Sequence, residues 1–269
     1  MQTLDMHRET AVFANFTAFP EQKHTLWKIY DEKVNSEIMG FFKERPLYIA
    51  DGHHRYETAL KFWKENKKES YRWILVYLSP MDGDNLKIFS AHRLIKGFNA
   101  DDWKRLNEKA GNFFDIREFP ISDIGESFKL LKEAGNRRHA YGVLFNDGSA
   151  VKTLLLVSKN EKRLIEKMDG HSPAWKHLDV SVLHSLVFSH ILGFEEEKLQ
   201  AASRLSYEVQ RHKTIEMVKS GAVQAAFLLN PTKVEEVGLV ADRGEKMPGK
   251  ATYFYPKVPS GLVINKFEE

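Results

Sequence analysis

The sequence predicts a mixed α/β protein of the α+β kind, on three observations. Apolar residues recur at helical spacing in several stretches, short runs rich in Val, Ile, Phe and Tyr are set off by Gly, Asp and Pro, and the C-terminal half twice spells strand, helix, strand. At the start, Ala11 to Ala18 and His24 to Tyr30 read as extended segments around a turn at Pro20. In EKVNSEIMGFFKER, Val34, Ile38, Phe41 and Phe42 make one apolar stripe, which predicts a helix that Pro46 stops. Leu47, Tyr48 and Ile49 then predict a short buried strand, and Asp51-Gly52 a turn. A helix follows, with Tyr56, Ala59, Leu60 and Trp63 on its inner face.

The runs YRWILVYLSP and LKIFSAHRLI predict a hairpin across MDGDN, because Asp-Gly between β-rich runs is a turn signal. Residues 113–146 read strand (FFDIREF), helix (SDIGESFKLLKEAG) and strand (HAYGVLFN). Residues 204–230 repeat the pattern as RLSYEV, HKTIEMVKSG and AVQAAFLLN. Both helices stop at a glycine, Gly135 and Gly221, where left-handed caps are expected. VKTLLLVS adds a strand, LDVSVLHSLVFSHIL a buried helix and FEEEKL a solvated turn. The change of pattern near residue 112 suggests two portions, 1–112 and 113–269.

Composition narrows the function classes. The 269 residues are 42% apolar, enough for a substantial core, and the net charge of +3 comes with no basic stripe, which argues against nucleic acid as partner. The absence of cysteine excludes disulfides, thiolate metal sites and cysteine catalysis, and fits a reducing cytoplasm. No apolar run approaches the roughly 20 residues of a membrane helix, and the start, MQTLDMHRETAVFANF, has no signal-peptide core. A cytoplasmic protein without a membrane partner is expected, of an oligomeric state that the sequence does not fix.

The densest chemistry lies in Asp51-Gly52-His53-His54-Arg55. A strand, a glycine turn and a helix start make an anion site from first-turn N–H groups and the helix dipole. Arg55 offers a planar fork for phosphate, and His53 and His54 can donate hydrogen bonds or move protons. Asp51 could cap the helix, accept a proton from a hydroxyl, or hold Mg²⁺ carried in by a nucleoside phosphate. A helix-capping Asp51 with ordinary surface histidines is the bland alternative. A metal-assisted hydrolase built on Asp51, His53 and Glu57 is another.

A second cluster, GEKMPGKATYFYPKVPSGLVI, nearly spells a phosphate-binding loop, but Ala251 stands where Ser or Thr is needed and no helix follows. Lys250, Thr252, Tyr255 and Lys257 still place two ammoniums and two hydroxyls together. His92 and Arg93, at a strand end, are expected to share a pocket with the Asp51–Arg55 turn and with Lys250. His184 and His190 read as core residues, and Trp175 as an anchor.

The combination of LYIADGHHRYETAL, AHRLI, SPAWKHLDVSVLH, QAAFLLNPTKVEEV and the terminal cluster resembles the bacterial and archaeal domain-of-unknown-function family 1015, over residues 24–264. Members of that family are usually longer at the N-terminus, so the resemblance implies a fragment or a shortened homologue. The D-G-H-H-R segment is also similar to the phosphate-binding strand-turn-helix of the ParB and sulfiredoxin superfamily, including archaeal free-serine kinases. That similarity implies a ParB/sulfiredoxin-like portion in residues 1–112, ahead of the β-α-β units. It also implies nucleotide phosphates on Gly52, His53, His54 and Arg55, with Asp51 near the transferring group. Those kinases carry an upstream catalytic glutamate, and neither Glu9 nor Glu21 lies in a matching context. The expected function is a nucleotide-dependent phosphotransferase acting on a small hydroxylated metabolite, with Asp51, His53 and His54 catalytic. A non-catalytic ParB-like nucleotide-binding or regulatory module is the alternative.

Overall fold

The computed structural model describes residues 12–18, 22–81, 86–259 and 261–267. The chain divides into two compact units, residues 1–78 with 257–269, and residues 79–256.

In the first unit, β1 (Val12–Ala18) and β2 (Gln22–Trp27) pair antiparallel, and the turn expected at Pro20 lies outside the described residues. Helix α1 (Glu32–Phe42) starts where the Asp31 carboxylate accepts from the N–H groups of Lys33 and Val34. Its stripe turns Val34 inward, while Phe41 stays exposed with the Arg45 guanidinium 4.0 Å from its ring. Helix α2 (His53–Asn66) follows the glycine turn as expected, although Tyr56 is exposed rather than on an inner face.

Two expected strands are absent. Leu47, Tyr48 and Ile49 are exposed and belong to no strand, and residues 73–80 run without regular structure after a 3₁₀ turn at Glu69–Arg72. An apolar β-type run becomes a strand only when its backbone groups find a ladder, and among the described residues neither run has one. The hairpin predicted across MDGDN therefore does not form; its tip, residues 82–85, lies outside the described residues.

The second unit is built on a six-stranded sheet. Its strands are β4 (His92–Ile95), β5 (Phe114–Phe119), β6 (Ala140–Asn146), β7 (Val151–Ser158), β8 (Leu205–Glu208) and β9 (Ala225–Leu229). They lie in the order β5-β7-β6-β9-β4-β8, every neighbouring pair antiparallel. A separate two-stranded sheet pairs β3 (Lys87–Phe89) with β10 (Tyr253–Tyr255).

Helix α3 (Ala100–Ala110) opens with a capping box between Asn99 and Asp102. Helix α4 (Ile124–Ala134) joins β5 to β6, and α9 (Arg211–Lys219) joins β8 to β9. Both strand-helix-strand units read from the sequence are therefore present. In each, an antiparallel strand, β7 or β4, lies between the two that the helix connects. Residues 79–112, grouped by pattern with the N-terminal portion, cluster with 113–256 because β4 sits inside this sheet.

The remaining helices are α5 (Glu161–Ile165), α6 (Pro173–Lys176), α7 (Asp179–Val182), α8 (Glu196–Ala201) and α10 (Val234–Ala241). The buried helix expected from LDVSVLHSLVFSHIL is α7 continued by a π-helix, Leu183–Leu192. On one face of the sheet Ile95, Tyr141, Val143 and Phe227 pack with Leu106 of α3 and Leu186 and Phe188 of the π-helix. On the other, Leu94, Leu144 and Leu228 pack with Leu131 of α4 and Val218 of α9. Strand β4 is thus buried on both faces, with Arg93 and Ile95 toward α3 and the π-helix, and His92 and Leu94 toward α4 and α9.

Of the two expected left-handed glycine caps, Gly221 has φ +74. Gly135 stays right-handed; a Cβ there would lie 1.9 Å from Asn230 Nδ2, which donates to the Leu131 carbonyl. Close approach, not backbone freedom, selects that glycine. FEEEKL is not a solvated turn, since Glu196 opens α8 and is partly buried. Among the described residues no helix is long and apolar enough to cross a membrane.

Candidate functional site

The Asp51–Arg55 turn has the backbone its sequence implied. Gly52 is the helix N-cap at φ +84, a left-handed conformation that a side chain strains, and it supplies no capping group to α2. The first intrahelical bond runs from Tyr56 N–H to the Gly52 carbonyl, so the N–H groups of His53, His54 and Arg55 have no acceptor within the helix. No acidic residue stands in the first turn. The Arg55 guanidinium folds back over Gly52, where a Cβ would meet its Nη2 at 2.9 Å and its Nε at 3.1 Å. Gly52→Ala is expected to cost about 1–2 kcal/mol of stability and to push Arg55 off the turn. Urea unfolding checks it, and a change within experimental error would mean that the turn relaxes freely.

Asp51 is not the helix cap. One carboxylate oxygen accepts from Gly52 N–H at 2.9 Å, and the other accepts from Lys257 Nζ at 2.8 Å. The hydrogen bond from Lys257, with its charge and that of Arg55, outweighs burial and holds the Asp51 carboxyl below its ordinary value. Of the C-terminal cluster, Lys257 reaches this turn. His53 and His54 are exposed, and His54 Nδ1 lies 3.7 Å from Glu57. Asp51, His53 and Glu57 do not converge as ligands, and among the described residues no three His, Cys, Asp or Glu side chains form a metal-binding group. One Asp51 oxygen is bonded to Gly52 N–H, and the Lys257 ammonium on the other puts a like charge where a nucleotide-borne magnesium ion would approach.

His92, Arg93 and Lys250 belong to the second unit. Arg93 is 1% exposed and each of its nitrogens has an acceptor: Nε in His184 Nε2 at 3.0 Å, Nη1 in the Ala91 carbonyl and Nη2 in the Gly249 carbonyl at 3.3 Å. It braces the loop before β10 and offers no open face to an anion. His184 donates from Nδ1 to Glu196, which also accepts from Tyr207 and Gln200. Burial, helped by the Arg93 charge, keeps His184 below its ordinary pKa, so it stays neutral between guanidinium and carboxylate. His184 is thus the satisfied core histidine expected, whereas His190 is exposed, edge-on to Phe113. Lys250 is exposed at φ +55 in the turn that Arg93 holds. His92 is 1% exposed, with Nδ1 accepting from Leu229 N–H.

Other groupings were not visible in the sequence. His139 Nδ1 lies 2.7 Å from Asp179, and its Nε2 lies 3.5 Å from Glu161, which also faces His177 at 3.6 Å. Burial opposes charge on His139, but the Asp179 hydrogen bond and the charges of Asp179, Glu161 and Glu236 prevail and raise its pKa. A cavity of about 530 Å³ beside this group is lined by Glu161, Lys162, Met168, Asp169, Lys176 and His177. These contacts join positions far apart in the chain, which no local pattern signals.

Residues 2–181 match the family model described as Protein of unknown function (DUF1015). The chain belongs to that family. This DUF1015 member is similar to a solved conserved hypothetical protein from Pyrococcus furiosus, at 15% identity and TM-score 0.42, covering 84% of each chain. It is also similar to a free serine kinase in complex with AMP, at 14% identity and TM-score 0.41, and to a point mutant of a free serine kinase in complex with ADP, at 16% and 0.40. Each of these two covers 84% of this chain and 81% of the other. No curated protein matches the DUF1015 chain in sequence.

Proposed function

We propose that the protein binds the phosphate groups of a nucleotide at the Asp51–Arg55 turn and serves as a phosphotransferase toward a small hydroxylated metabolite. The observation that carries this reading is the uncapped start of α2, where a left-handed Gly52, free first-turn N–H groups and the guanidinium of Arg55 converge. In this reading the phosphates lie against the N–H groups of His53, His54 and Arg55, and Arg55 turns from Gly52 to hold them. His53 and His54, both exposed, donate to phosphate oxygens or relay a proton. Phosphoryl transfer asks mainly for positioning and charge neutralisation, which these groups and the Lys257 ammonium suit.

The Asp51–Lys257 pair favours one second reading, a nucleotide-binding module without turnover. A carboxylate held ionised by an ammonium is a weak base toward a hydroxyl. A thermal-shift screen of nucleoside mono-, di- and triphosphates, with and without Mg²⁺, tests binding, because a ligand of the native state raises its melting temperature. Turnover of a bound triphosphate in the presence of hydroxylated metabolites separates the two readings. Arg55→Ala is expected to weaken the nucleotide that binds by about 1.5–3 kcal/mol, tenfold or more in Kd, at unchanged stability. An unaltered Kd would remove Arg55, and with it this site.

A further inference from the structure

The second unit contains another strand-turn-helix, β8 to α9, and its start is chemically unusual. The first three residues of α9 are Arg211, His212 and Lys213, basic side chains at the end of a helix where the dipole disfavours cations. No side chain caps the helix, and its first internal bond is from Thr214 N–H to the Gln210 carbonyl, leaving the N–H groups of residues 211–213 without a helical acceptor. The Arg211 guanidinium is half-buried over the Phe128 ring at 5.3 Å, and among the described residues no carboxylate pairs with it.

An independent observation comes from the sheet beneath. His92 shares with Leu94 the face of β4 that packs against α9, and it stands opposite Glu208, the last residue of the strand that leads into that helix. Its Nδ1 accepts from Leu229 N–H, which leaves the hydrogen on Nε2. That Nε2 is enclosed and has no hydrogen-bond partner among the described residues, although the side chain is almost wholly buried. The charges of Arg211 and Arg93 both disfavour a proton on His92. A buried donor without an acceptor is costly, and on the sheet face under a helix start that carries an unpaired guanidinium it marks a place for a negative ligand. The carboxylate at this end, Glu208, is held on Gln210 N–H at 2.8 Å.

We propose that the N-terminal end of α9 binds a phosphate group, inorganic or as a monoester, held by Arg211, His92 Nε2–H and the amides of residues 211–213. Two donor side chains and a helix start suit a compact dianion better than a carboxylate. The site lies wholly within residues 79–256 and does not depend on the Asp51–Arg55 turn. It is tested in the full chain carrying Arg55→Ala, by following ¹⁵N signals of the His92 ring and of the backbone of residues 211–213. The probes are inorganic phosphate, phenyl phosphate and acetate, titrated at millimolar concentrations.

The expected result is a saturable shift of these signals together with phosphate or phenyl phosphate, and a Kd at least roughly tenfold weaker in Arg211→Gln. Tighter binding of phenyl phosphate assigns the site to a monoester, and equal binding assigns it to the phosphate group alone. No saturable shift, acetate binding as tightly as phosphate, or an unchanged Kd in a folded Arg211→Gln chain overturns the proposal.

Discussion

Arg93→Met is expected to lower the stability of the 79–256 unit by about 3–5 kcal/mol, the cost of removing one partner from a buried ionic network. Methionine fills much of the volume, so the loss comes from the acceptors left behind. His184 Nε2 and the carbonyls of Ala91 and Gly249 lose their donor, and the half-buried Glu196 loses a nearby cation. Burial pushes the guanidinium down only to about 10, so it is charged at neutral pH and its interactions are those of an ion. Arg93→Lys is expected to recover little, since an ammonium cannot reproduce three donors in a fixed fork. Urea unfolding followed by circular dichroism measures both variants. A loss below about 1 kcal/mol, the range of an exposed ion pair, would show that the network contributes little.

The second large effect is acid sensitivity through His92. Burial, with the charges of Arg211 and Arg93, lowers its pKa to about 3 in the folded chain. In the unfolded chain it takes up a proton near the ordinary value of about 6.5. The folded value is the lower one, so the stabilisation is complete above the unfolded value, declines as pH falls below it and is gone below about pH 3. From pH 7 to pH 4 the decline attributable to His92 is on the order of 3 kcal/mol, at about 1.4 kcal/mol per pH unit. His139, whose pKa is raised, acts in the opposite sense. The measurement is therefore the difference in pH slope between the wild-type chain and His92→Gln, in buffer free of phosphate. Equal slopes would mean that His92 is not held neutral. A bound anion beside its Nε2 would raise the folded value and flatten the wild-type slope.

Much of the second unit was legible because its signals are local. FFDIREF and AVQAAFLLN are β-rich, their connecting helices have one apolar face, and the strands and helices stand where the periodicity puts them. What the sequence could not convey is which strand lies beside which. HRLI carries no alternation that marks it as central, yet β4 is buried on both faces, and this turns Arg93 from an expected ligand contact into a brace. LYI and WILVYL read as strands by composition and fail for want of a ladder, a property of the neighbours and not of the run itself. At the turn of residues 51–55 the glycine, the helix start and Arg55 were readable from spacing. The partner of Asp51 was not, since Lys257 lies at the far end of the chain.

The order β5-β7-β6-β9-β4-β8 also fixes a sequence in time for a chain made from its N-terminus. Strands β5, β6 and β7 are encoded together and can pair as soon as residue 158 has left the ribosome. Strand β4 emerges before them, yet both its neighbours, β8 and β9, come last. Until they arrive, β6 presents an open edge and β4 has neither of its neighbours. The half-made chain is thus the form most exposed to wrong pairing with other chains, and closing the sheet on β4 is the step that ends that exposure.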